Sequence, residues 1–503
     1  MKRRMISLLL AALMCLSLLP MAALAEEEGD KVLTIGTTAS ICAFGPGGQQ
    51  TERYQCKMIF ESLLEYDPVS NEYLPKLAES YEYVDDLTLK FKIREDVYFT
   101  NGDHLTADDV LYSLQEIWAV GSFGSYFEAN NWEDSYVEDD YTLVLKYDRP
   151  YGPGLAMFCQ WYIYSRNWAE SATDEDWFSA PIGTSPYVLK EIQSGSHVSF
   201  ARKAAEDYWG ELPACAEVTY KYYAEASTMF IDFETGALDA AVNVSPSDAK
   251  RVLNGEYENI GYSLNDIKDD LNIVLSECTD IWDDVRVREA FSLSLDAAAV
   301  AEAAYGPLFK EATSTLPSSV MYYVEQEPYE YNYDRAKELL AEAGVESVDI
   351  RLVTDPGSQA TAEALQACIA PGGFNLNIEV YDRTVGGPML MNGEVDMMLK
   401  DSPGGAYLND PCMLYDNFSE HSMFKAAALS DIEWVEAFNQ ALYSVDTEQR
   451  AEGYAKCQAF LHDNFRVIPV CERMNMVVWN TDVIADFNLA VADEPVVYNI
   501  IYA

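Results

Sequence analysis

An α/β fold is predicted by three features of this 503-residue chain. Asp86 to Glu95 alternates apolar and polar residues with period two, placing Leu87, Leu89, Phe91 and Ile93 on one face of a strand. Asp334 to Gly344 repeats with helical spacing instead, with Ala336, Leu339, Leu340 and Ala343 inward and Gly344 as the stop. Segments of both kinds recur, and no tandem repeat, low-complexity tract or Pro/Gly/Ser linker divides the chain.

The N-terminus carries Lys2, Arg3 and Arg4, then no charge from Met5 to Ala25, and Ala23-Leu24-Ala25 precedes Glu26. This pattern predicts a cleaved export signal over 1–25. The rival reading is an uncleaved anchor, since the uncharged run can span a bilayer. Pro20 and the A-x-A end favour cleavage, and Met14 disfavours lipidation at Cys15. Lys31 to Gly36 is then expected as a strand, followed by a glycine-bearing loop from Thr37 to Gln50. A helix is expected from about Glu52 to Leu64, with Met58, Ile59, Leu63 and Leu64 near helical spacing and Pro68 beyond its end.

Leu74 to Tyr98 reads as a hairpin turning at Asp85-Asp86. Tyr98 to Ser113 reads as a strand end, an Asn101-Gly102 turn and a capped helix. Thr106 is the expected N-cap, its hydroxyl accepting from the Asp109 amide while the Asp109 carboxylate returns the bond. Asp140–Leu145 and Val198–Phe200 read as strands, and Pro181–Tyr187 as a rigid crossover loop. Arg286 and Arg288, in the helical run from Asp283 to Asp296, are expected as structural ion-pair partners rather than a carboxylate clamp.

The formal charge is −50 at pH 7, and loss of the three leader cations takes it to −53. Such a surface repels nucleic acid and anionic lipid. Nine cysteines lie beyond the leader: Cys42, Cys56, Cys159, Cys215, Cys278, Cys368, Cys412, Cys457 and Cys471. An odd number without C-x-x-C excludes a full disulfide framework, while individual bridges stay open. His104, His197, His421 and His462 are scattered, with no Cys or Glu at metal-ligand spacing, so no metal or other cofactor is expected. Neither G-x-S-x-G nor H-E-x-x-H occurs, which leaves a hydrolase without a motif.

Several segments, in order, resemble family 5 of the extracellular solute-binding proteins. The strongest likeness lies in Phe99, Asn101, Gly102, Leu105, Thr106, Ala107, Asp108, Asp109, Val110, Tyr112 and Ser113. Leu74–Tyr81, Pro181–Tyr187 (with Ser185 where the family has Gly), Tyr208-Trp209-Gly210, the run from Asp283 to Asp296, and Asp334–Gly344 continue it. The resemblance implies a periplasmic-binding-protein-like fold of type II, cluster C, with two main lobes around a hinge and an additional inserted domain. It implies domain I from 26–68, 182–274 and 479–503, inserted domain II from 69–181, and domain III from 275–478. It also implies an exported, monomeric, non-enzymatic receptor of an ABC importer. Such a receptor captures a small solute, first of all a peptide, and passes it to a membrane permease driven by cytoplasmic ATPase subunits.

The resemblance locates candidate ligand contacts as well. In peptide-binding relatives an Asp shortly before an Asp/Glu-Pro pair meets the peptide ammonium. Here Asp410-Pro411 fills that pair and Tyr407 falls on the ammonium place, with Asn409 nearby. A phenol can accept a hydrogen bond or stack on a cation but supplies no charge-charge term. Dipeptide-binding relatives hold the carboxylate with an Arg in a loop that here reads Thr354-Asp355-Pro356-Gly357-Ser358, without Arg. Asp355 is a candidate to meet a positive group, and a plain turn is the equal alternative. Ser40, Cys42 and Phe44, after the first strand, are candidate contacts from the facing lobe. That loop lacks G-K-S/T, so no phosphate cradle is expected. Tyr126, Trp161 and Tyr162 are further aromatic candidates. Receptors for an oligosaccharide or another non-peptide solute, a secreted hydrolase using paired carboxylates, and a chaperone-like surface protein remain as alternatives. The scattered histidines disfavour a nickel-type ligand.

Overall fold

The computed structural model describes residues 31–39, 44–45, 53–67, 70, 72–119, 127, 129–401, 409–420, 422–487, 497 and 500–503. Its main sheet has eleven strands. Ten follow one path, in the order Phe374–Val380, Val348–Thr354, Met397–Asp401, Ile260–Leu275, Val467–Asn480, Ala240–Ala241, Lys31–Thr37, Cys215–Tyr222, His197–Arg202 and Tyr187–Gln193. Phe309–Glu311 pairs with Val467–Asn480 off that path.

Two of these strands are unusually long. Ile260–Leu275 has 16 residues and Val467–Asn480 has 14. They pair antiparallel from Ile260 opposite Asn480 to Val274 opposite Val467. Residues before 260 and after 480 lie at one end of the pair, and residues 276–466 at the other. The long strands therefore carry the chain between two lobes. Their register breaks between Asp266 and Asp270, and again between Leu271 and Asn272. A ladder interrupted at the crossing bends more easily there than a continuous one.

Each lobe has its own core. In the first, Leu33, Ile35, Phe200, Val218, Tyr220, Val477 and Trp479 pack together. The other main lobe, built around residues 276–466 and called the third lobe because the inserted domain precedes it in the chain, covers its sheet with two clusters, one around Ile273, Leu339, Ile350 and Phe374, the other around Val274, Tyr415, Trp434 and Tyr454. A separate four-stranded sheet, ordered Ala78–Asp85, Thr88–Ile93, Thr142–Tyr147 and Asn130–Asp139, packs with the helix Ala107–Ala119. This inserted sheet lies between the first and second segments of the first lobe.

Local details follow the residue chemistry. Leu89, Phe91 and Ile93 are fully buried, whereas Leu87 is 39% exposed. Leu87 belongs to the turn before the strand, where its amide donates to the Asp85 carboxylate at 2.9 Å. Thr106 caps as expected on the carboxylate side only. Its amide and hydroxyl both donate to Asp109 Oδ2, at 2.9 and 2.7 Å, so the hydroxyl is a donor rather than the expected acceptor. Asp109 Oδ1 accepts the Arg166 amide at 2.9 Å, and burial pushes this carboxyl above its usual range. The helix expected to run to Leu64 covers only Arg53–Lys57. Leu63 and Leu64 are drawn into the inserted domain's core, because Leu64–Asp67 pairs with Glu72–Pro75.

Val285–Leu293 is the expected helix. Arg286 pairs with Asp284 at 2.5 Å. Arg288 does something else: it is 4% exposed and donates to the carbonyls of Asn464, Trp282 and Asp283. Tyr333–Glu342 is capped by Asn332, and Gly344 takes φ +77° beyond its end. The eight described cysteines form no disulfide with one another. Among the described residues no helix is long and apolar enough to cross a membrane.

Candidate functional site

Strand direction locates the site. Ala240–Ala241 is antiparallel to Val467–Asn480, which is antiparallel to Ile260–Leu275. Ala240–Ala241 and its parallel neighbours Lys31–Thr37 and Cys215–Tyr222 thus run toward the third lobe. Met397–Asp401 is antiparallel to Leu271–Leu275, so it and the parallel strands Val348–Thr354 and Phe374–Val380 run back toward the first. The carboxyl ends of both parallel sets meet across the broken ladder. Open α/β sheets bind ligands at such ends.

On the first-lobe rim, Thr37 is buried and its Oγ1 accepts the Ala39 amide at 3.0 Å. Tyr223 donates its amide to the Thr37 carbonyl and its hydroxyl to Asp232 at 2.6 Å. Asn243 holds φ +61°, in the left-handed region, and accepts from Asn475 at 2.6 Å. Asparagine tolerates that region better than most residues because its side chain bonds locally.

The third-lobe rim carries charge. Asp355 follows the strand Val348–Thr354; its Oδ1 accepts the Gly357 and Ser358 amides at 2.8 and 3.2 Å. Its Oδ2 accepts from Arg383 Nε at 3.0 Å. Burial pushes the Asp355 pKa up, but the guanidinium and the two amides outweigh it and hold the carboxyl below its usual value. Asp355 thus forms the expected turn, and the cation it meets here is the protein's own Arg383. Arg383 follows the neighbouring strand Phe374–Val380 and its side chain is 88% exposed. Neither Nη group has a partner among the described residues. Arg351 is not available in this way, because Glu379 holds it through two bonds of 2.8 and 3.0 Å.

Ser40, Cys42, Tyr407 and Tyr126 lie outside the described residues. Phe44 is fully buried and meets Phe200 edge to face at 6.3 Å, so it is core rather than a ligand contact. Trp161 and Tyr162 are likewise core, 4% and 1% exposed. Asn409 is buried with φ +51°, beside the Tyr66 phenol, which burial raises to about 12. Asp410 is fully buried. It accepts from Arg450 at 2.6 Å, Tyr454 at 3.0 Å and the Cys412 amide at 3.0 Å. Its expected place among ligand contacts is therefore corrected to an internal ion pair. Arg383, Arg450 and Gly152, which packs on Arg450, escaped the sequence reading. Asp382-Arg383-Thr384, a capped helix start directly after a strand, was the available signal for Arg383. Among the described residues no cluster of three His, Cys, Asp or Glu side chains could hold a metal.

Two lobes joined by two strands, with facing strand ends, define a receptor that closes on a solute at its hinge. The chain belongs to the bacterial extracellular solute-binding proteins, family 5, whose middle-region model matches residues 72–424. This family consists of non-enzymatic solute-binding components of ABC importers. The probable ABC transporter periplasmic-binding protein SapA of Escherichia coli K12 is 24% identical over 470 residues, covering 84% of this chain and 83% of SapA. The dipeptide-binding protein of the same organism is 26% identical over 457 residues, with 80% and 82% covered. The crystal structure of NikA from Brucella suis in complex with Fe(III)-EDTA superposes with a TM-score of 0.84 at 21% identity, covering 94% of this chain and all of NikA.

Proposed function

We propose that this chain is an exported receptor for a small solute bearing a carboxylate, first of all a peptide with a free C-terminus, which it hands as a monomer to an ABC permease. The observation that carries this reading is Arg383, 88% exposed at the facing strand ends and oriented by Asp355 through a single nitrogen. Its two remaining nitrogens match a carboxylate's paired oxygens, the geometry in which guanidinium binds most strongly. The relatives support the same chemistry. A dipeptide and EDTA, named for the E. coli protein and the NikA complex, both carry carboxylates. Export of the chain rests on its leader pattern and on the periplasmic setting of these relatives.

Titration calorimetry with a peptide library, each peptide paired with its C-terminal amide, tests the proposal. Free-acid peptides are expected to bind and their amides to bind about 10- to 100-fold more weakly, the value of a charged hydrogen bond. Arg383→Ala should remove the difference without changing the melting temperature of the unliganded protein. Preference for neutral sugars over every acid in the library would overturn the reading.

A further inference from the structure

The inserted domain touches both lobes, in different ways. Its attachment to the first is dense. Ile163 N–H donates to the Glu61 carbonyl and Thr100 N–H to the Gly183 carbonyl, both at 3.0 Å. Phe60 packs on Tyr162 and Tyr164 at 6.1 and 5.1 Å between centroids. The attachment to the third lobe uses other groups. Gly152 N–H donates to the Leu442 carbonyl at 2.9 Å, and the Arg149 guanidinium lies 4.3 Å over the Tyr443 ring. Tyr73 Oη stands 3.6 Å from Met321 Sδ, and Cys412 of the third lobe packs into the inserted domain's core.

Gly152 sits where a side chain cannot. A Cβ there would overlap Arg450 Nε and the Ser444 carbonyl oxygen and stand 2.7 Å from Arg450 Cδ. Arg450 cannot yield, since Asp410, Tyr454 and the Ala441 carbonyl hold its guanidinium in place. A rotation about the crossing strands that parted the lobes, with the inserted domain staying on the first, would break this second contact.

We infer that the Gly152–Leu442 contact, with Arg149 on Tyr443 beside it, is a latch that holds the two lobes closed and sets the balance between open and closed receptor. The latch lies outside the Arg383 rim and involves no ligand group. The inference rests on the hinge-closing receptor reading and is independent of which solute is bound. Opening exchanges these contacts for water, so weakening them raises the open population.

The test uses the mature protein without added ligand, after exhaustive dialysis. Small-angle X-ray scattering and amide hydrogen exchange are compared for the parent, Gly152→Ala and Tyr443→Ala. Gly152→Ala should increase the radius of gyration, and the amide of residue 152 should exchange about fivefold or more faster, matching loss of one net hydrogen bond. Tyr443→Ala should shift both readouts in the same direction by less. Near-UV circular dichroism should match the parent throughout. Parent-like scattering and exchange in both variants would overturn the latch. If Gly152→Ala fails to fold, Tyr443→Ala alone decides, because it opens no clash.

Discussion

Replacing Asp410 distinguishes a structural carboxylate from a ligand-binding one. Asp410 is 0% and Arg450 5% exposed at the side chain, and their bond is 2.6 Å. Burial works against the Arg450 charge, and the Asp410 carboxylate together with Tyr454 and Tyr322 outweighs it. Asp410→Ala would remove three accepted hydrogen bonds. It would leave the guanidinium with the Ala441 carbonyl at 3.1 Å and phenols at 3.3 and 3.4 Å. Removing one partner of a buried pair costs about 3–5 kcal/mol. That corresponds to a fall in melting temperature of roughly 4 °C if the whole chain unfolds as one unit, and roughly 10 °C if the third lobe unfolds alone. Differential scanning calorimetry reads the shift directly. The double variant Asp410→Leu with Arg450→Met should recover most of the loss, since well-packed apolar groups can replace a buried pair at little cost. A parent-like melting temperature in Asp410→Ala, with solute binding abolished, would refute the argument and return Asp410 to the ligand site.

Arg288→Met should cost about 2–4 kcal/mol by leaving buried carbonyls without donors, whereas Arg286→Ala, on the surface, should cost far less. Chemical denaturation of both variants checks the contrast. The hydrogen bond from Arg286 holds the Asp284 carboxyl at about 2. Its stabilising effect is therefore complete above the unfolded value near 4 and lost as pH falls from about 4 to about 2. Asp284→Asn should melt below the parent at pH 7, and the gap should close at pH 2 where both remain folded.

Regular patterning made much of the fold legible. The strand Thr88–Ile93 and the helix Tyr333–Glu342 each declare their buried face through their period. The helix expected to reach Leu64 was shorter, because a long-range partner, Glu72–Pro75, claimed its end. The two-lobe topology was legible only through the family resemblance. Nothing in the composition of Ile260–Leu275 announces that it spans both lobes.

The site was harder to read. A side chain's role there depends on what fills the space around it. Asp410 and Asp355 look alike in sequence, yet one is sealed against Arg450 and the other orients an exposed Arg383. Phe44 sits in a loop rich in polar and glycine residues and still points into the core. Gly152 has no signature apart from its turn, because its importance lies in two residues of the other lobe, Leu442 and Arg450.

Native mass spectrometry of freshly purified protein tests the central claim most directly. The account predicts one small noncovalent adduct per chain, released intact on denaturation and shifted in mass by methyl esterification of its carboxyl group. A released solute without a carboxyl group, or cleavage products in place of an intact ligand, would contradict it.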